Sequence, residues 1–417
     1  MESKAPTKSI VILGGSYGGI STAHYLLKHA IPKLPTPQDY RIVLVSASNE
    51  ILCRPACPRA LISDDLLPQE KLFVSIPSVF EQYPSQNIQF EHATAEKVDH
   101  ESRTVLIRSA EDGSEKVLEY YALVIATGAS TTSPLLSLNK DSTFIRSQWS
   151  LFREKMKTAK SIVIAGGGPA GIETAGELGE YLNGQAGWFS CKQENPKVRI
   201  TVVTSAAQIL PVLRSSIAEK AEGYLARVGV TVIKNTKVTS VSPSESGTEI
   251  TLATDTKVTL SDGQELDADI YIPAMGMTPN TAFLDATLLT GDGRVDTNAT
   301  TLRVDNAGIR VYAVGDVGSY AKPAVHAILN AIPVLGANIK RDLLLGAGTD
   351  EASLGPDREY KEDTRETQMV PIGRSKGVGA AMGFQLPSFL IWAIKGRDYW
   401  LWTTGGLWSG KQWNKES

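Results

Sequence analysis

The feature that most limits how this chain can fold occurs twice. "SIVILGGSYGGISTAHYL" (9–26) runs an apolar strand into Gly14, Gly15, Ser16, Gly18 and Gly19 and then into helix-forming residues. "SIVIAGGGPAGIETAGEL" (161–178) does the same with Gly166, Gly168 and Gly171. A turn of this kind lets backbone come close to a pyrophosphate, and the helix behind it offers free N–H groups and the positive end of its dipole. One such turn also suits tight strand–helix packing. Two, each followed by the same further pattern, point to a pair of dinucleotide sites.

That further pattern is regular. After the first turn a helix is expected over Gly18–Lys28, then a buried parallel-type strand, "RIVLVS" (41–46). Residues 88–119 read as short strands with polar turns, an antiparallel insert, and "LVIATG" (123–128) closes the unit. After the second turn come "RITVVT" (199–204), a run of short strands from 230, and a closing apolar strand before "AMG" (274–276). This is a duplicated architecture, not a short-period solenoid. The expected class is α/β, with two Rossmann-like dinucleotide-binding domains, each carrying an antiparallel β insert, and a small C-terminal domain. Residues 1–150 with 285–346 are assigned to the first domain and 151–284 to the second. Residues 347–417 form a polar linker (347–366) and an aromatic-rich tail with five of the seven tryptophans. Within 311–332 a strand, turn and helix are expected, with Pro323 suited to the first helical position.

Bulk properties narrow the function classes. A chain of 417 residues exceeds one ordinary core. A net charge of −3, with no lysine- or arginine-rich block, argues against a nucleic-acid partner. Three cysteines are no disulfide framework and fit a reducing compartment. "MESKAPTKS" lacks the apolar core of a signal peptide and the glycine at position 2 that myristoylation needs. No apolar stretch reaches the roughly 18 residues of a spanning helix. A cytoplasmic monomer or homodimer without a metal is expected. Peripheral contact with a lipid droplet, the mitochondrial outer membrane or another cytosol-facing surface is left open.

"VYAVGD" (311–316), ending in Gly315-Asp316, and "LVIATG", with Ala126, Thr127 and Gly128, stand in order with the two glycine turns. Together they resemble the two-dinucleotide-binding-domain flavoproteins over residues 9 to 345. The resemblance implies FAD in the first unit and NADH or NADPH in the second, with Asp316 bonding the ribityl chain of FAD. An ordinary strand-end turn is the alternative for Asp316. Two departures stand out. Ser16 occupies the middle-glycine place. Ser46 occupies the place of the ribose-binding acid, so Ser46, Ser48 or Asn49 must serve instead. In the second unit the equivalent of that acid is Thr204, followed by Ser205, with no arginine near, which implies dual use of the nicotinamides or a mild NADPH preference. Glu173 resembles a family glutamate near the nicotinamide amide, and "AMGMTPN" (274–280), with Gly276, resembles the closing loop of the NAD(P) domain, which runs beside the flavin.

Arg54-Pro55 in "ILCRPACPRAL" and the tail "GRSKGVGAAMGFQLPSFLIWAIKGRDYWLWTT" resemble the apoptosis-inducing-factor-like group, in particular its ferroptosis-suppressor type. That implies an FAD-dependent NAD(P)H oxidoreductase passing hydride from NAD(P)H to FAD and electrons on to a quinone-like acceptor. Arg54 would then lie near the flavin pyrophosphate, and the helix start at Pro323, with Lys322, near the flavin anion. Lys395 would supply charge or a proton on the acceptor side. Solvated side chains remain the alternative for Glu173, Lys322 and Lys395. Trp392, Trp400, Trp402, Trp408 and Trp413 suit a membrane interface or packing onto the flavin domain. Cys53 and Cys57 raise a rival, a thiol–disulfide reductase or peroxidase. A slow redox sensor and a flavin monooxygenase are the others.

Overall fold

Strands made almost wholly of Ile, Val, Leu and Ala must be covered on both faces, which is what a parallel sheet flanked by helices provides. The computed structural model describes residues 8–187, 189–252 and 254–416. Residues 1–7, part of the segment read above for a targeting signal, lie outside the described residues.

The first sheet runs in the order Val311–Ala313, Ala122–Ile125, Lys8–Leu13, Tyr40–Ser46, Ile88–Asp99, Thr104–Ser109, Glu115–Glu119. Strand Ile88–Asp99 serves two roles. Its first half pairs parallel with Tyr40–Ser46, and its second half pairs antiparallel with Thr104–Ser109. The first antiparallel insert is therefore continuous with the main sheet. The second sheet, in the order Val230–Ile233, Arg199–Val203, Ser161–Ala165, Ile270–Pro273, is parallel throughout. Its insert stands apart as an antiparallel sheet of Val238–Ser242, Thr256–Leu260 and Glu265–Ala268.

Several boundaries differ from the sequence expectation. The first helix is α-helical over Tyr17–Tyr25 and widens to a π turn over Leu26–Ala30. There the Lys28 ammonium donates to Gly410 O (2.6 Å), and the rings of His24 and His29 bond Trp408 O (2.8 Å) and Trp413 O (2.7 Å). Pro323 is not the first helical residue. Ala324 behind it is extended (φ −166°, ψ 142°), so the helix begins at Val325 and runs to Gly346. The boundary at 150 falls inside helix Ser142–Met156, whose Ile145, Trp149, Phe152 and Met156 pack in one core with the second sheet. The polar stretch 347–366 is no free linker. Arg303 pairs with both Asp342 (2.8 Å) and Asp357 (2.6 Å), and buried Tyr360 meets Tyr320 edge-on at 5.2 Å.

The tail folds back over both units. Strands Gln368–Ile372, Lys376–Ala381 and Phe384–Gln385 form an antiparallel sheet. Its Val370, Ile372, Val378 and Ala380 join the core of the second unit, together with Tyr399 and Leu401. Leu407, Trp408 and Trp413 instead enter the core of the first, where Trp408 meets Tyr17 edge-on at 4.8 Å. Trp392 and Trp402 remain exposed. The tail thus ties the two units together, a role its composition alone does not show.

Candidate functional site: two nucleotide cradles on one cleft

The two glycine turns superimpose in their bonding. The Gly14 N–H donates to Val45 O at 2.8 Å, and the Gly166 N–H donates to Val203 O at 2.8 Å. Both glycines have positive φ (116° and 132°). A Cβ on Gly14 would lie 2.2 Å from Ala126 O, and one on Gly166 2.3 Å from Ala274 O. The third glycines are as tight, since a Cβ on Gly19 or Gly171 would lie 1.8 or 2.1 Å from the carbonyl oxygen of Gly14 or Gly166. These positions exclude any side chain, which is why the sequence signal is strong. At Gly168 a Cβ would meet nothing within 4 Å. That face is open space, as a cradle for pyrophosphate requires.

Ser16 and Gly168 are the N-caps of helices Tyr17–Tyr25 and Pro169–Asn183, and neither helix receives a side-chain cap. Their first-turn N–H groups therefore point, unsatisfied by side chains, at whatever occupies the cradle. Both turns open onto one cleft of about 1220 Å3, above the roughly 300–1,000 Å3 of an ordinary single-ligand pocket. Its walls include Gly14, Gly15, Ser16 and Gly18 on one side and Gly166, Gly168 and Thr204 on the other. Ser46, Arg54, Ala126, Thr127 and Gly128 line it as well, as do Gly276, Gly315, Asp316 and Pro323. Gly19 and Gly171 stand behind the wall, where they let the turns close. The closing loops hold the halves in register: Thr127 Oγ1 donates to Asn280 O (2.7 Å), and Asn280 Nδ2 donates back to Thr127 O (2.9 Å).

Arg54 lines the cleft on the side of the first glycine turn. Its guanidinium reaches Ala129 O (3.3 Å) and Asp316 Oδ2 (3.4 Å). Burial pushes the Asp316 carboxyl up from its ordinary range, and Arg54 opposes that shift. Ala324, Val325 and Ile328, at the start of helix Val325–Gly346, line the same region. Lys322 does not. It is exposed, outside the lining, and its backbone N–H donates to Glu362 Oε1 at 2.9 Å. Because Ala324 is extended, the helix starts at Val325 and Lys322 stands three residues before it.

Glu173 and Lys395 meet on the cleft wall. Both line the cleft, both are buried, and the ammonium donates to Glu173 Oε1 in a short contact and to Met369 O at 3.1 Å. Neither is a solvated surface group. Burial raises the Glu173 carboxyl to about 7, with Lys395 pulling the other way. One helical turn on, Glu177 accepts from Arg59 Nη2 (2.7 Å) and Nε (3.0 Å) and from Tyr399 OH (3.0 Å). Sequence reasoning missed this second buried pair. Its signal was present, because Glu173 and Glu177 stand four apart and so share one face of helix Pro169–Asn183. Together the two pairs fasten helix Pro169–Asn183 to the tail and to the segment after Arg54.

Cys53 and Cys57 are buried and outside the cleft lining. Cys53 Sγ sits 3.5 Å from Tyr17 OH, and burial pushes its thiol up to about 11 and that of Cys57 to about 12. A thiolate nucleophile is favoured by the opposite environment, which weighs against the thiol-exchange rival.

Residues 8–331 match the family described as pyridine nucleotide-disulphide oxidoreductase, and the chain belongs to it. It is 61% identical to "Oxidoreductase phnG" of Penicillium herquei, covering 100% of this chain and 99% of that protein. To ferroptosis suppressor protein 1 of Mus musculus it is 24% identical, over 93% of this chain and 92% of the other. Among solved structures, NDH2 of Plasmodium falciparum in complex with NADH aligns with a TM-score of 0.65 at 15% identity, covering 98% and 97% of the two chains. The protein is an NAD(P)H-dependent oxidoreductase with an α/β fold, and the cofactors of its family are FAD and NADH or NADPH.

Proposed function

We propose that this protein is a member of the apoptosis-inducing-factor-like group that takes hydride from NAD(P)H onto FAD and passes electrons to a quinone-like acceptor. The observation that carries the reading is the single cleft, lined by both glycine turns and by the buried Glu173–Lys395 pair. When bound, FAD would supply the two-electron chemistry between nicotinamide and acceptor.

The chain's own groups set the conditions. Gly14, Gly15, Ser16, Gly18, Ser46 and Arg54 would hold the flavin nucleotide, with Thr127, Gly128, Gly315 and Asp316 around its inner part. Gly166, Gly168, Thr204 and Gly276 would hold the nicotinamide nucleotide. The start of helix Val325–Gly346 presents its positive end to the flavin side, where added negative charge is stabilised. Lys395 brings its buried ammonium to the cleft wall beside Glu173. Glu173, whose carboxyl burial raises above its ordinary range, can hold or release a proton at Oε1 within reach of that ammonium. The exposed Phe389, Trp392 and Trp402 give the tail an aromatic face suited to a membrane surface where a lipid-soluble quinone would be met. Among the described residues no helix is long and apolar enough to cross a membrane. Placement at a cytosol-facing surface is part of the same proposal.

The test is spectroscopic. Purified protein should carry flavin absorbance, bleach anaerobically with NADH or NADPH, and recover it on adding a short-chain quinone. Recovery with disulfide or persulfide and none with quinone would replace the acceptor. A protein that never retains flavin would remove the proposal altogether.

A further inference from the structure

Granted that the second glycine turn holds the nicotinamide nucleotide, the adenosine ribose falls where strand Arg199–Val203 ends, at Thr204 and Ser205. NADH and NADPH differ only there, by a phosphate on the 2′ oxygen. Thr204 is buried and occupied. A Cβ on Gly167 would lie 2.8 Å from its Oγ1, and the Ala206 N–H donates to that hydroxyl at 3.3 Å. Ser205 is exposed, and its hydroxyl makes no hydrogen bond among the described residues.

The chain after the neighbouring strand Val230–Ile233 returns to this corner. The Thr204 N–H donates to Ile233 O (2.9 Å), the Thr236 N–H to Thr204 O (3.1 Å) and the Asn235 N–H to Ala206 O (3.0 Å). These three bonds lace the two segments together and make Lys237 the next residue on the cleft wall. Its own N–H is pinned by Ser261 Oγ at 3.0 Å, while its side chain is exposed and makes no ion pair among the described residues. Nearby Lys234 and Lys257 are committed to Glu222 and Glu265. Of the cleft-lining residues between 199 and 240, Lys237 is the only charged one.

We propose that Lys237, with the Ser205 hydroxyl, binds the 2′-phosphate of NADPH and makes NADPH the preferred donor. An acid at the strand end would accept from a free 2′-hydroxyl and repel a phosphate, and Thr204 and Ser205 do neither. A phosphate beside an unpaired ammonium gains a charge-assisted hydrogen bond that a hydroxyl cannot match. Because the site is exposed, added salt weakens this preference. Lysine acts here as a point charge and needs no bidentate geometry, so arginine should replace it without loss.

The FAD-loaded protein is titrated calorimetrically with adenosine 2′,5′-bisphosphate and with 5′-AMP. The bisphosphate should bind about tenfold more tightly, a gap that narrows as salt is raised. Lys237→Ala and Lys237→Gln should bring the two probes within about twofold, Lys237→Arg should keep the gap, and Ser205→Asp should invert it. Each variant's unchanged melting temperature shows that the exposed substitution leaves folding intact. Equal binding of the probes by the unaltered protein overturns the assignment, as does a gap that survives in both Lys237→Ala and Lys237→Gln. If neither probe binds, the nucleotide site of the second unit falls, and with it the role of Lys237.

Discussion

Replacing Lys395 with methionine keeps most of the side chain's volume and leaves Glu173 buried without its cation. Taking away one partner of a buried ion pair typically costs about 3–5 kcal/mol while the remaining charge stays ionised. Glu173 can avoid that cost by binding a proton. In the unaltered protein burial lifts its carboxyl from 4.5 to about 7. A raised acid contributes stability that is full below the unfolded value and is lost as pH climbs to the folded one. The lift corresponds to about 3 kcal/mol lost between about pH 4.5 and 7, with a plateau above. Without Lys395 the folded value rises further and the plateau moves to higher pH. The stability gap between Lys395→Met and the unaltered protein should therefore widen by up to about 1.4 kcal/mol per pH unit above pH 7. Thermal unfolding of the flavin-loaded proteins at pH 6, 7, 8 and 9 reads this directly. The double variant Glu173→Gln/Lys395→Met, having no buried carboxyl, should show no such widening. A gap that is constant with pH in Lys395→Met would refute the placement of Glu173 as a buried group held ionised by that ammonium.

Other outcomes follow from the same geometry. Gly19→Ala should abolish flavin retention and Gly171→Ala nicotinamide-nucleotide binding, because each Cβ would land within about 2 Å of a carbonyl oxygen; flavin content and nucleotide titration check them separately. Arg59→Met leaves Glu177 without its cation, keeping only the Tyr399 hydroxyl, and should cost about 3–5 kcal/mol, with faster amide exchange in residues 368–401 where the tail meets helix Pro169–Asn183. Cys53→Ser and Cys57→Ser should leave anaerobic flavin reduction and acceptor turnover within about twofold. In the folded protein a thiol reagent should label exposed Cys191 well before either, as the buried thiols stay protonated.

Much of the architecture was legible because glycine turns are a steric necessity. Only hydrogen fits at Gly14, Gly19, Gly166 and Gly171, and apolar runs that must be buried on both faces declare parallel strands. The duplication, the closing "ATG" strand and the turn at Gly315-Asp316 could be placed on those grounds. Glu173 and Lys395 were legible as separate candidates, but 222 positions apart nothing local says that they touch. That contact depends on the tail folding back across helix Pro169–Asn183. The Arg59–Glu177–Tyr399 cluster has the same origin, whereas Lys237 reaches the cleft wall through the pairing of strand Val230–Ile233 with Arg199–Val203. Backbone sterics and hydrophobic periodicity act between near neighbours and are written in the order of residues. Desolvation and charge pairing depend on which distant segments share one dry interior, and that was settled only when the chain packed.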